Sequence, residues 1–386
     1  MERVCSIFSQ MLRLMPRSRF EAAVARHDGD KHAKGMTCWS QFIALLFCHL
    51  GGARSLREII QGLAASEGKL RHLGVSRTPT RSTLAYANEH RPWQVYQEVF
   101  EELLAVCQTE AKARKRRFRF RNPLVSLDST VIPVSLSMFD WAAYRQRKGA
   151  VKLHLVLNHD GYLPQYAVLT EGKTADVTVA QQMEFAAGTI VVMDRGYEDH
   201  AWWRTLSRKG VYFVSRLKDN TGYGIVGERT VPPDSHILRD EEIMLVSEER
   251  QLQPMRLRRI EVWVPEKEDT LVFVTNHPTL AASTIAAIYR DRWQIELFFK
   301  AIKQAVRIKT FIGTSINAVH IQIWTALIAM LFVRYLQLRS RWNWSLSNLF
   351  ALLRQQLFVY RDLWSWLEEP FRPPIDLDSP QLPLPL

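Results

Sequence analysis

The chain has 386 residues, of which 47% are hydrophobic, so it can bury a large core and is long enough for two or more domains. Its formal net charge is +12, and residues 1–123 carry 21 Lys and Arg against 11 Asp and Glu, which favours an anionic polymer as partner. The chain does not begin with a signal-peptide core, and its most apolar run, 321–333, is shorter than the roughly 20 residues that span a bilayer, so we expect a cytoplasmic protein without membrane contact.

Residues 1–118 predict helices, because apolar residues recur there at helical spacing. Ser55 and Glu58 have the spacing of a capping box, which would start one of these helices. A later short helix follows a Gly-containing turn, an order compatible with a helix-turn-helix that reads DNA bases. Its candidate base-reading residues are Arg81, Asn88 and Arg91. Ordinary packing of paired helices explains the same pattern.

The segment 112–121 carries seven basic residues, with two phenylalanines interleaved among them. We interpret it as a linker that can lie along DNA phosphates and that ends a helical DNA-binding domain of residues 1–121. A solvated run of charge is the alternative.

From residue 122 the pattern changes to short strands alternating with helices, in the order of an RNase H-like α/β sheet. The predicted strands are 124–132, 151–157, 164–170, 190–194 and 211–217, with helices near 175–187 and 199–209. Asp128 lies within the first strand and Asp194 ends the fourth. A carboxylate in such a place is costly to bury unless it is paired or binds a metal ion.

The stretch 287–306 predicts one helix with an apolar stripe and a distinctive polar face. The polar side chains project within roughly 60° of one another, and they are Tyr289, Arg292, Glu296 and Lys303. Taken alone, this pattern also describes a solvated face with an ordinary Arg–Glu pair. Together with two Asp residues at strands, Glu296 indicates a carboxylate cluster that needs cations.

Residues 336–386 predict a C-terminal helical segment followed by a Pro-rich tail. The four cysteines have no C-x-x-C and no regular spacing, and the histidines form no H-E-x-x-H. A zinc site is therefore disfavoured.

These motifs resemble those of the DDE transposases of bacterial insertion sequences, specifically insertion-sequence family four, the hairpin-forming group. That group is marked by Y-x2-R-x3-E-x6-K, which the polar face of 287–306 matches at every step. Leu127-Asp-Ser-Thr130 and Asp194-Arg-Gly-Tyr197 match its two Asp motifs. The resemblance implies an RNase H-like catalytic domain over 122–335, in which a carboxylate triad is catalytic and holds two Mg²⁺ (or Mn²⁺) ions. The triad is Asp128, Asp194 and Glu296.

The resemblance also implies a set of DNA contacts. Tyr289, Arg292 and Lys303 are expected to contact phosphates near the cut, joined by Arg216. A mostly β insertion is expected over about 218–282, where the family has one. Some relatives carry a Trp in its last strand to hold a flipped base, but this chain has Leu271 there. Trp263 could substitute, although a Trp in an alternating strand is more often in a core.

Trp293 provides another candidate for supporting a displaced nucleotide. It lies about 100° round the helix from Arg292, away from the apolar stripe. Our hypothesis is that its ring stacks on a base, and the rival interpretation is that it packs against the β insertion.

As a whole, the resemblance implies cut-and-paste DNA transposition of an insertion sequence, by metal-dependent strand hydrolysis, hairpin formation and strand transfer. The implied partners are double-stranded DNA, as the terminal inverted repeats and the target, and a second copy of the chain in a DNA-bound homodimer. The alternatives are an RNase H-like DNA nuclease or resolvase without strand transfer, and a DNA-binding regulator with a decayed catalytic domain.

Overall fold

The computed structural model describes residues 5–31, 33–112, 116–133, 150–233, 235–245, 254–304, 312–313 and 315–371. The chain forms two compact units, one of residues 1–103 with 321–386 and one of residues 104–320. Both ends of the chain therefore belong to one unit, whereas the sequence suggested separate segments.

Helices make up most of the described part of the first unit and flank the sheet of the second. Their bounds are α1 Ile7–Leu12, α2 Arg17–Arg26, α3 Cys38–Gly51, α4 Leu56–Ala64, α5 Glu67–Leu70, α6 Arg81–His90, α7 Gln94–Lys112, α8 Asp176–Ala180, α9 His200–Arg208, α10 Ala282–Asp291, α11 Trp293–Gln304, α12 Ile316–Arg339, α13 Leu346–Gln356 and α14 Leu363–Glu368. The expected helix over 175–187 is thus wrong in length, because α8 already ends at Ala180.

The capping box expected at the start of α4 is present with one change of partner. The Ser55 hydroxyl accepts the Glu58 amide hydrogen at 3.1 Å, as in the standard motif. The Glu58 carboxylate accepts from the amide of Arg54 at 2.9 Å, one residue before the cap. One orphan amide of this helix end, that of Glu58, is therefore satisfied by a side chain.

Helix α12 is the one helix in the described part of the chain that is both long and strongly apolar. It contains an 18-residue window with a mean hydropathy of 1.8, so by length and composition it could cross a membrane. The sequence predicted that the apolar run 321–333 is too short to span a bilayer, and this prediction was wrong because the helix is 24 residues long. However, 83% of that window is buried inside the protein. This burial is typical of the core helix of a soluble protein.

The second unit is built on one mixed sheet with the order β3-β2-β1-β4-β5-β9-β8-β7-β6. Strand bounds are β1 Leu124–Pro133, β2 Ala150–Asn158, β3 Leu163–Glu171, β4 Ile190–Met193, β5 Tyr212–Arg216, β6 Tyr223–Glu228, β7 Ile237–Leu245, β8 Met255–Val264 and β9 Asp269–Thr275. The order of the first five strands and the parallel pairing of β1, β4 and β5 confirm the predicted RNase H-like α/β fold.

The β insertion extends this sheet instead of forming a separate one. Its last strand, β9, pairs antiparallel with β5, so β6 to β9 continue the sheet outward. Residues of β4 alternate between the two faces, as expected for a strand covered on both sides. Val191 joins a core that includes Trp203, whereas Ile190 and Val192 join a core that includes Ile288 of α10. This second packing holds α10 against the sheet.

Candidate catalytic site

Two carboxylates lie side by side, one within β1 and the other directly after β4, its parallel neighbour. Leu127 of β1 is paired with Met193 of β4, so the next residues, Asp128 and Asp194, are also neighbours. Adjacent strands are about 4.8 Å apart, which brings the two acidic side chains to one region of the sheet. Each carboxylate accepts the amide hydrogen of the following residue, at 2.8 Å for Asp128 and 2.7 Å for Asp194.

The helix that carries the third carboxylate is divided at Arg292. We expected one continuous helix over 287–306, but α10 ends at Asp291 and α11 begins at Trp293. Arg292 keeps right-handed helical angles, and its amide donates to the carbonyls of Ile288 and Tyr289 at 3.3 and 3.2 Å. The expected continuous helix is therefore wrong at this point, while residues 305–310 lie outside the described part of the chain.

The polar face meets the two strand carboxylates. Arg292 donates to Asp128 at 3.3 Å and to Glu296 at 2.7 Å, so one guanidinium bridges two acids. The Tyr289 hydroxyl donates to Asp194 at 3.3 Å. Three residues of the Y-R-E-K pattern and both Asp motifs thus meet at one place in the second unit.

Burial changes the acidity of this site. The pKa of Asp128 is raised to about 6, mainly by burial and to a smaller extent by Glu296 and Asp194, against the lowering effects of the Ser129 amide and Arg292. Burial also raises the pKa of Tyr289 to about 12, which keeps its hydroxyl protonated and able to donate. The site is therefore rich in negative charge that is only partly compensated.

The carboxylate oxygens suit a hard divalent cation, but in this arrangement a guanidinium lies between two of them. No three His, Cys, Asp or Glu side chains within the described ranges are grouped closely enough to hold a metal ion. The oxygen donors and the raised pKa of Asp128 both fit a cation chemically. A cation held by Asp128 and Glu296 requires Arg292 to leave them.

The other expected DNA contacts of this unit lie near the carboxylates or on the same helix. Arg216 ends β5, and its buried Nε has no hydrogen-bond partner among the described residues. Lys303 lies on α11, about two turns after Glu296, and is half-buried. Trp293 is 55% exposed, which agrees with our expectation that it is outside the core.

Two sequence expectations about aromatic and basic residues need correction. Trp263 is 38% exposed, so a core position for it is wrong. In the described part of the basic segment, Arg116 pairs with Asp160 at 3.0 Å and Arg117 pairs with Asp291. These two arginines bind carboxylates of the second unit, so neither a wholly solvated run nor a free linker describes them.

In the first unit, only one of the three suggested base-reading residues is exposed. Arg81 is the first residue of α6 and faces solvent. Asn88 is buried and accepts from Gln41 at 2.8 Å. Arg91 donates to Gln41 at 3.0 Å and to the Met36 carbonyl. The suggestion that Asn88 and Arg91 read bases is therefore wrong, because both are used in internal packing.

A buried polar network beside the site was missed by the sequence reasoning. His159 contacts Ser126 of β1 at 2.7 Å through Nε2 and Asp291 of α10 at 2.6 Å through Nδ1. Tyr162 also donates to Asp291 at 3.2 Å. The network joins β1, the strand of Asp128, to the residue directly before Arg292. Its one signal in the sequence is Asp291, an acidic residue next to the apolar stripe of an amphipathic helix.

The comparison with known families decides the identity. The sequence profile of the family described as Transposase DDE domain matches residues 119–332, which is more than half of the chain. The chain belongs to the DDE transposase family. A second profile, described as a domain of unknown function (DUF4372), matches residues 4–76 of this transposase.

Known relatives support the same membership. A protein named as a transposase in Sinorhizobium fredii is 30% identical over 303 residues, covering 78% of this transposase and 82% of the relative. A protein named as the transposase of insertion sequence element IS5377 in Geobacillus stearothermophilus is 28% identical over 270 residues, covering 69% of this chain and 70% of the relative.

Among solved structures, the chain matches one described as a piggyBac transposase synaptic complex with hairpin DNA. The match covers 95% of this chain and 81% of the piggyBac transposase chain. The two are 7% identical, with a TM-score of 0.45, so the assignment rests on the sequence relatives. As a DDE transposase of an insertion sequence, the chain is a DNA-cleaving and DNA-transferring enzyme, and the nuclease-only and regulator alternatives are not favoured. Dependence on a divalent metal follows from the family.

Proposed function

We propose that this transposase excises its element by the hairpin route of insertion-sequence family four. Hydrolysis at the element end would free a 3′-hydroxyl, which would attack the opposite strand, close a hairpin on the element end and release the flanking DNA. Hydrolysis of the hairpin would then restore the 3′-hydroxyl, which would attack the target in strand transfer. The observation that carries the proposal is the convergence of Tyr289, Arg292 and Glu296 on the two strand carboxylates. These side chains have the spacing that marks the hairpin-forming group.

In this proposal Asp128, Asp194 and Glu296 hold two Mg²⁺ (or Mn²⁺) ions. The chemistry that such ions supply when bound is activation of the attacking oxygen and stabilisation of the leaving oxygen. Arg292 partly compensates the charges of Asp128 and Glu296 before the cations bind, and afterwards its guanidinium is available for a DNA phosphate. A planar guanidinium can grip carboxylate and phosphate with the same fork of donors, which makes this exchange reasonable.

The remaining side chains are assigned to the DNA. Lys303 and Arg216 would neutralise phosphates beside the cut, and Tyr289 would donate a hydrogen bond that orients Asp194 or a phosphate oxygen. Trp293 would support the nucleotide displaced by the hairpin bend. Its exposure and its place on the helix of Glu296 support that role.

The helical segment 1–121 is proposed to bind the terminal inverted repeats of the element, with residues 122–335 as the catalytic domain and 336–386 as a C-terminal segment. Exposed Arg81 at the start of α6 is the proposed base-reading residue. Because both element ends must be cut together, we propose a homodimer on DNA. A cytoplasmic location follows from that substrate.

A cleavage assay tests the hairpin route. Full-length protein is incubated with Mg²⁺ and a labelled duplex that carries one element end, and the products are separated on a denaturing gel. The proposal expects a nicked strand first and then a covalently closed hairpin that runs at the summed length of both strands. Glu296→Gln is the matched control and should form neither product. Double-strand breaks that appear without any hairpin intermediate would contradict the hairpin route.

A further inference from the structure

A basic cleft lies in the second unit at the end of the sheet where β5 begins. Its volume is about 500 Å³, and its polar lining residues are Arg204, Ser207, Arg208, Arg256 and Asn276. The first three are on α9 at positions i, i+3 and i+4, which places them on one face of that helix. No Asp or Glu is among the described residues that line the cleft.

Arg204 is the unusual member of this set. Arg204 is only 9% exposed to solvent. Its buried Nε and Nη2 atoms have no hydrogen-bond partner within the described part of the chain. A buried guanidinium without an acceptor is costly, because desolvation is not offset by any pairing. Such an unsatisfied group calls for a ligand that the protein itself does not supply.

The polar wall next to Arg204 is already hydrogen-bonded within the protein. Asn276 donates to Ser207 at 2.8 Å and to the Val211 carbonyl at 2.9 Å, and it accepts from the Phe213 amide at 2.8 Å. At the mouth, the highly exposed side chain of Arg256 pairs with Glu242. The cleft thus combines a buried unsatisfied cation, a fixed polar wall and cations toward solvent, which include exposed Arg208.

We propose that this cleft binds a phosphate group, and that in the DNA complex the group is a backbone phosphate outside the catalytic site. Clustered arginines recognise phosphate through forked, charge-assisted hydrogen bonds. Assigning the phosphate to DNA rests on the proposed function. Tyr212 and Arg216 are the two ends of β5, with the cleft at the first, and the register of β4 with β5 places Asp194 level with the second. The four residue steps between these two ends span roughly 13 Å, so the phosphate lies several nucleotides from the cut.

The phosphate arm of the test uses Arg204→Met in the full-length chain. The thermal midpoint is measured without metal, in sodium phosphate and in sodium chloride at equal ionic strength. Phosphate should raise the Tm of the wild type by more than it raises that of the variant, because its general stabilising effect is common to both proteins and only binding in the cleft is lost. In chloride, the Tm of Arg204→Met should equal or exceed that of the wild type, because an unpaired buried charge has been removed. An equal phosphate response in both proteins would overturn the site.

Arg239→Met is the matched control, since it removes the same charge from an exposed position of β7. It should respond to phosphate as the wild type does. If the control also loses its response, a general charge effect explains the result and the site is overturned.

The DNA arm measures the dissociation constant for a long duplex carrying the element end, as a function of salt. Arg204→Met should lower the slope of log Kd against log salt by about 1, because one phosphate contact is lost. An unchanged slope, together with a lost phosphate response, would overturn the DNA assignment in favour of free phosphate. Neither readout depends on cleavage, so failure of the cleft is distinguishable from failure of the catalytic proposal.

Discussion

Asp128 is a buried acid whose protonation is linked to stability. Burial raises its pKa from an ordinary 3.8 to about 6, so the folded state holds the proton more tightly than the unfolded state. The resulting stabilisation is complete below about pH 4 and is lost as the pH rises through 6. Asp128→Asn removes this dependence, and without metal its free energy of unfolding relative to wild type should rise by at most about 3 kcal/mol from pH 4 to 7.

Urea unfolding at several pH values in the presence of a chelator measures that difference. Asp219→Asn removes an exposed carboxylate and should change the free energy of unfolding by less than about 0.5 kcal/mol throughout. If the difference in free energy of unfolding between Asp128→Asn and wild type stays constant between pH 4 and 7, the surroundings do not raise the pKa of Asp128.

Trp293 is 55% exposed, so most of its ring lies outside the core, and our proposal is that this ring stacks on DNA. Stacking on an aromatic ring can return roughly 1–3 kcal/mol per base, which offsets part of the cost of unstacking a nucleotide. Trp293→Ala should leave first-strand nicking intact but lower hairpin product at least tenfold, or about 1.4 kcal/mol in barrier. Leu297→Ala, at a 42% exposed position of the same helix, is the control and should keep both products. Normal hairpin yield from Trp293→Ala would remove the stacking role.

Among the structural elements, the junction between α10 and α11 directly follows the buried acid Asp291. Its side chain is fully buried and is bound by Arg117, His159 and Tyr162. Asp291→Ala leaves these donors without their acceptor, so we expect the free energy of unfolding to fall by about 3–5 kcal/mol. Arg290→Ala, at the exposed preceding position, should change it by less than about 0.5 kcal/mol. Chemical denaturation of both variants is the measurement, and equal stabilities would show that the network is not needed.

Local pattern was sufficient for the elements that carry the carboxylates. Apolar runs predicted β1 and β4, and helical spacing predicted the buried stripe that includes Ile295 and Ile302. The break at Arg292 could not be predicted, because the contact between Asp291 and His159 joins residues 132 positions apart. Helical periodicity continues across the break and so carries no sign of it.

The same limit applies to buried polar residues of the first unit. Asn88 and Arg91 are of residue types that often read bases, and only the fold reveals that Gln41 binds both. Their partners are 47 and 50 residues away, which is beyond the reach of a local pattern. Arg81 is the exposed first residue of α6 and therefore stays a candidate for base reading.

At the scale of the whole molecule, the ends of the chain meet in one unit. The Ile7 amide donates to the Val359 carbonyl at 3.0 Å, and His49 contacts Thr325 at 3.0 Å. A fragment of residues 1–118 would lack these partners, so DNA binding is best measured on the full chain.

Arg81→Ala in that full chain tests base reading by the first unit. If Arg81 contacts bases, the variant should weaken binding to the terminal repeat by about 1–3 kcal/mol and bind random DNA almost normally. Arg19→Ala removes the same charge from an exposed position of α2 and should weaken both DNAs equally. Fluorescence anisotropy at fixed salt is the measurement, and an equal loss by Arg81→Ala on both DNAs would limit Arg81 to a phosphate contact.

The central claim is that Asp128, Asp194 and Glu296 together form the catalytic site. The most direct measurement is cleavage of labelled element-end DNA with Mg²⁺ by three single alanine variants, alongside a gel shift on the same DNA. Each variant should lose strand cleavage while still binding the end, because all three carboxylates are needed to hold the ions. Near-normal cleavage by any one of the three would contradict the account.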